Sequence, residues 1–175
     1  MTTSTQSPPD TGSPHEVLYP DLASELEFTR KMLACVPDGH EAFKPHEKNM
    51  TLGALAAHVS ELPRFAKLML DLDELDWATY KWEEAPLSNT AERLAHFDRV
   101  AKDLTDTLRA AGWPAMNHTF IMRGGDTIYM NDRRGTLVRT AGLNHIVHHR
   151  AQLGMYLRLL GVPIPGPYGQ SADKM

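Results

Sequence analysis

Residues 145–161 read HIVHHRAQLGMYLRLLG. The spacing predicts the later part of a helix that starts after Gly135, takes Thr136 as its cap and runs to Leu160, where Gly161 and Pro163 supply the terminating chemistry. On such a helix His145 and His149 stand one turn and about 40° of azimuth apart, so both rings reach one point from the same side. His148 points elsewhere. A lone histidine on a helix is ordinarily a surface residue or a core group with its own hydrogen bond. A pair facing an apolar stripe is different, because burying two imidazoles without partners is costly and a shared ion removes the cost.

Upstream of this segment, Thr119-Phe120-Ile121-Met122 and Thr127-Ile128-Tyr129-Met130 flank Arg123-Gly124-Gly125-Asp126, a turn-rich link able to close a small β-hairpin before the last helix. Further back, Asn89 and Glu92 stand in capping-box spacing ahead of Leu94, Phe97, Ala101, Leu104 and Leu108, a stripe closed by Gly112 and Pro114. Thr51 is an N-cap for a helix whose stripe is Leu52, Leu55, Val59, Leu62 and Ala66. Pro63 lies inside it and cannot donate to the Val59 carbonyl, which predicts a kink. Leu22, Leu26, Thr29, Leu33 and Val36 recur at three- and four-residue steps until Pro37-Asp38-Gly39 ends the run. The expectation is four substantial helices in one all-α domain over residues 17–175. Residues 1–16, rich in Ser, Thr, Pro and Gly, read as a flexible leader, and GVPIPGPYGQSADKM as a Gly/Pro-rich tail laid over the helices or partly loose.

A metal site needs a third ligand from another helix. Of the nine histidines, His58 meets that need: it follows Leu55 by three residues and precedes Leu62 by four, on the stripe of the second helix. His15, His40 and His46 fall in leader or loop sequence, and His96 and His118 are weaker candidates. Three neutral imidazoles leave a coordination position open, the pattern of a catalytic site, and they suit several divalent metals. Zinc or nickel comes first, with iron or manganese as further options.

The net charge of −4, with no segment gathering Lys or Arg, lacks the electrostatic footprint that nucleic acid requires. Cys35 is the single cysteine and can form no internal disulfide, which fits a cytoplasmic address. No stretch approaches the ~18 apolar residues of a membrane span, so no membrane partner is expected.

The segment His145–Gly161 resembles the last-helix signature of the DinB/YfiT superfamily, H-x-x-x-H-R-x-Q followed by a Leu-Arg-x-x-Gly ending. Met50-Thr51-Leu52-Gly53-Ala54-Leu55-Ala56-Ala57-His58 is similar to the family's second-helix entry, and Tyr168-Gly169-Gln170-Ser171-Ala172-Asp173 to its closing Tyr-Gly-Pro-Ser-Ala-Asp. The chain departs at Ala151, where many relatives have Gly, and at Gln170 in place of Pro; neither removes a ligand. The resemblance covers nearly everything from Leu18 onward. It implies an up-and-down four-helix bundle with a long connection, a homodimer, and metal ligands at His58, His145 and His149. It also implies chemistry on a low-molecular-weight thiol and an electrophilic substrate, of S-transferase type. A metal-hydroxide hydrolase and a non-enzymatic, stress-related metal binder are the alternatives.

Zincin proteolysis is excluded, since Ile146 stands where that motif requires Glu. Cys35 reads as a small buried hydrophobe. Arg150 and Gln152 read either as supports for the ligands or as interhelical pairs, Trp77, Tyr80 and Trp82 as core packing before pocket wall, and Asp71, Asp73, Glu74 and Asp76 as a solvated turn. No carboxylate is placed by the sequence as an obvious acid or base.

Overall fold

Thr51 and Asn89 cap helices as their positions predict: the Thr51 hydroxyl accepts the Ala54 amide hydrogen at 3.2 Å and the Asn89 carboxamide that of Glu92 at 2.9 Å. Glu92 completes its turn differently from a capping box, reaching back to the amide and hydroxyl of Ser88. In the computed structural model, which describes residues 12–83, 85 and 87–173, these caps open α3 (Leu52–Asp71) and α4 (Thr90–Ala110). With α2 (Leu22–Ala34) and α7 (Asn144–Leu159) they are the four long helices. α3 packs on α4 and α7, and α2 packs on the same two. Leu33, Leu52, Val59, Ala66, Leu108, Leu153 and Leu157 are all fully buried between them. α3 runs through Pro63 without division.

Several expectations need correction. Residues 1–11 of the expected leader lie outside the described residues, but its end is helical: Ser13 and Glu16 form a capping box that starts α1 (Pro14–Leu18). The short β-hairpin is the larger part of a three-stranded sheet, so the fold is mostly helical and not all-α. β2 (Thr119–Gly124) pairs antiparallel with β3 (Thr127–Arg133), and β1 (Glu74–Asp76) adds parallel to the other edge of β2. The acidic run is therefore an edge strand and not a solvated turn. The Glu74 carboxylate is exposed and that of Asp76 largely covered, while Leu75, with Phe120 and Met122 from β2, fills the core. The Asp76 carboxylate accepts amide hydrogens from Ala78 and Gly125, which hold it below the usual carboxylate range.

Thr136 is not a cap either. α6 (Arg134–Leu137) starts before it and passes directly into a π-helical segment, Val138–Leu143, which continues as α7. Gly142 lets this segment lie close on α3, since a Cβ there would stand 2.9 Å from that of Ala66. After Gly161, at φ 73°, the tail crosses the helices as the sequence reading allowed, with Ile164 buried and the Tyr168 hydroxyl on Glu25 of α2.

Candidate metal centre and its cavity

α3 and α7 pack so that the two stripes carrying histidine meet. His58, His145 and His149 each offer a ring nitrogen within 4.8 Å of the others, and the ring centroids are 5.2, 4.5 and 4.7 Å apart. Among the described residues no other group of three candidate ligands converges in this way.

The hydrogen bonds around the pair on α7 fix which nitrogens carry protons. Gln152 presents its amide nitrogen to His148 Nε2 at 3.0 Å and its carbonyl oxygen to His149 Nδ1 at 2.7 Å, so Nδ1 of His149 donates and its Nε2 keeps a lone pair. His145 donates to the Ala141 carbonyl, which leaves its other nitrogen free in the same way. The two Nε2 atoms face each other at 2.9 Å. At that distance the two nitrogens can share a proton or hold a cation between them. Zinc–nitrogen bonds of about 2.0–2.1 Å at the tetrahedral angle place donors roughly 3.3 Å apart, between this separation and the 4.8 Å limit of the set. The donor set therefore fits a divalent ion.

All three rings are biased to the neutral form that ligation needs. Burial, then the neighbouring rings of His149 and His145, pushes His58 down to about 4. Burial, then His149, lowers His145 against the pull of the Ala141 bond. Burial lowers His149, opposed by the hydrogen bond to Gln152.

Beside the cluster opens a cavity of about 670 Å³ walled by Phe65, Trp77, Trp82, Met122 and Met130, with His58, His145 and Asn144 at one end. Trp77 and Trp82 thus line a pocket and do not merely close the core. The π segment contributes Thr140 and Ala141 to the same wall, a use of π-helical backbone common at functional sites. Glu61 lines it too and was missed by the sequence reading. The available signal was its place one turn after His58. Glu61 Oε1 lies 3.0 Å from His96 Nε2, but neither buried atom has an aligned hydrogen-bond partner.

The remaining candidates fall elsewhere. Arg150 pairs between helices, its guanidinium 2.7 Å from the Glu25 carboxylate, whereas Gln152 supports a ligand directly. His148 stays outside the cluster, and His118 sits 3.1 Å from Asp73. Cys35 is half-buried with its Sγ on the Lys31 carbonyl, and burial pushes the thiol up, away from nucleophilic use. No helix among the described residues is long and apolar enough to cross a membrane.

Comparison with known proteins agrees with this architecture. A model of the DinB family matches residues 1–175. Among solved structures, the chain is similar to a DinB-like protein of Bacillus subtilis, YjoA, at 16% identity and a TM-score of 0.66, covering 89% of this chain and 99% of that one. It is also similar to a DinB-like protein of Bacillus cereus ATCC 10987 at 18% identity and a TM-score of 0.66, covering 86% and 95%. At these identities the likeness carries the fold alone. No curated protein matches the chain.

Proposed function

The chain belongs to the DinB family, and on that premise we propose that His58, His145 and His149 hold one divalent ion, zinc or nickel before iron or manganese, in a thiol-dependent S-transferase. The observation that carries this reading is the convergence of three ring nitrogens within 4.8 Å of one another, with the Nε2 atoms of His145 and His149 2.9 Å apart. Such an ion, when bound, supplies the Lewis acidity that favours a thiolate over a thiol. The protein's own part is positional: Gln152 orients His149, the Ala141 carbonyl orients His145, and the aromatic cavity excludes water from an electrophile set beside the rings. With this reading go an up-and-down four-helix bundle, a homodimer and a cytoplasmic address.

A second reading, a metal-dependent hydrolase, is favoured by Glu61, a carboxylate on the wall of the same cavity that can accept a proton from water. Turnover separates the two. Metal-loaded protein given several biological thiols and an electrophilic acceptor consumes thiol if it is a transferase and does not if it is a hydrolase or a non-catalytic binder. The metal assignment itself is tested by elemental analysis of protein purified without a metal-affinity column: about one equivalent of a divalent ion is expected, and His149→Ala should lose most of it. A metal-free wild type that also fails to take up zinc would remove the reading.

A further inference from the structure

We infer that the cavity beside the imidazole cluster binds a planar aromatic molecule of two or three rings carrying a hydrogen-bond donor directed at Glu61, and that it disfavours anions. As a role, this rests on the preceding reading, because it names the acceptor class that would face the three rings. As a binding site, it stands on the cavity alone.

At about 670 Å³ the space lies in the range of roughly 300–1,000 Å³ that small organic ligands use. Its walls are flat and held in place. Phe65 and Trp77 stack at 6.4 Å with 19° between their planes, and Trp82 leans on Trp77 at 6.1 Å. Arg64 lies 4.3 Å over the Trp82 ring while donating to the Glu83 carbonyl at 2.7 Å, so that ring is fixed before any ligand arrives. Trp77 is 39% exposed, an unusual outlay of apolar surface unless something covers it.

Glu61 is the one carboxylate on this wall among the described residues. Its Oε1 is buried against His96 Nε2 at 3.0 Å, which leaves Oε2, met by Arg64 only at 3.4 Å, with acceptor capacity to spare. Arg64 is not on the wall; it lies against Trp82 and the Glu83 carbonyl. A ligand carboxylate would therefore face Glu61 in a partly desolvated site with no free cation nearby among the described lining residues, whereas a hydroxyl or amino group would satisfy it.

The test is calorimetric titration of the full chain at pH 8, after chelator treatment, with 2-naphthol and 2-naphthoate. Saturable binding of one 2-naphthol is expected, about tenfold tighter than 2-naphthoate. Glu61→Gln should close that gap. Trp82→Ala should weaken 2-naphthol about tenfold or more, and Trp77→Ala serves the same purpose if circular dichroism reports that Trp82→Ala is unfolded. Absence of saturation, naphthoate binding as tightly as naphthol to the wild type, or folded tryptophan variants that bind like the wild type would overturn the inference. Zinc uptake by folded Trp82→Ala keeps the two readings apart. A wild type that takes up zinc but does not bind naphthol sinks the cavity alone, while naphthol binding without any zinc uptake by the wild type sinks the metal site alone.

Discussion

His149 and Arg150 are adjacent in the chain and sit in opposite kinds of polar surroundings. Arg150, 2% exposed, faces α2, where the Glu25 carboxylate, the Glu25 carbonyl and Thr29 accept from its guanidinium and the tail brings in the Tyr168 hydroxyl. Each charge there has an opposite charge or a hydrogen bond. His149 turns toward His58 of α3, its ring 4.5 Å from that one and its Nε2 2.9 Å from that of His145, so that base meets base with no carboxylate in the group. Buried polar groups in a folded protein are normally satisfied, so the first cluster serves stability and the second marks the place where something else must enter.

The sharpest way to break this contrast is to remove one member from each side. Arg150→Ala strands a buried carboxylate and should cost about 3–5 kcal/mol in urea denaturation. His149→Ala in metal-free protein should change stability by less than about 1 kcal/mol, since it removes a half-buried base from beside two others. Equal losses would mean that the histidine cluster is structural too.

Gln152→Ala sharpens the comparison from the metal side. It leaves all three ligands in place but frees the His149 ring to turn, and should weaken zinc by about 10–100-fold in calorimetry while the chelated protein unfolds at the same temperature. A smaller effect comes from acid. Because the folded state holds His58 down to about 4 from its ordinary 6.5, the unfolded chain binds the proton first as pH falls. The contribution of this ring to metal-free stability should therefore be constant above about 6.5, decline between that value and about 4, and be flat below. Thermal unfolding of His58→Ala across the same range should show a shallower decline; identical slopes would refute the assignment to this ring. Smallest is Tyr168→Phe, which removes the tail's hydroxyl from Glu25 and should cost about 1 kcal/mol by the same denaturation measurement.

What the sequence disclosed follows from periodicity. The stripes Leu52-Leu55-Val59-Leu62-Ala66 and Phe97-Ala101-Leu104-Leu108 lie in the core, and because His58 shares the first of them, it could be matched to the His145–His149 pair without coordinates. The misses came where local pattern is silent. Glu74-Leu75-Asp76 is too short and too acidic to announce a strand, and it becomes one only because β2 offers a free parallel edge. Glu61 drew no reading, because only the packing of α4, which sets His96 against it, gives it a place. The tryptophans form a wall only after the connection folds back beside Phe65. Each is a long-range juxtaposition, which single-sequence reading does not encode.

The π-helical turn at Val138–Leu143 carries one residue more than an α-turn would, and each residue of an α-helix is worth about 100° of rotation. The direction in which His145 and His149 look is thus written into the number of residues ahead of them as much as into their identity. Excising a single residue there would leave every ligand in the chain and swing the pair out of the reach of His58. In this chain the histidine column comes to face His58 only when the turn before it keeps its extra residue.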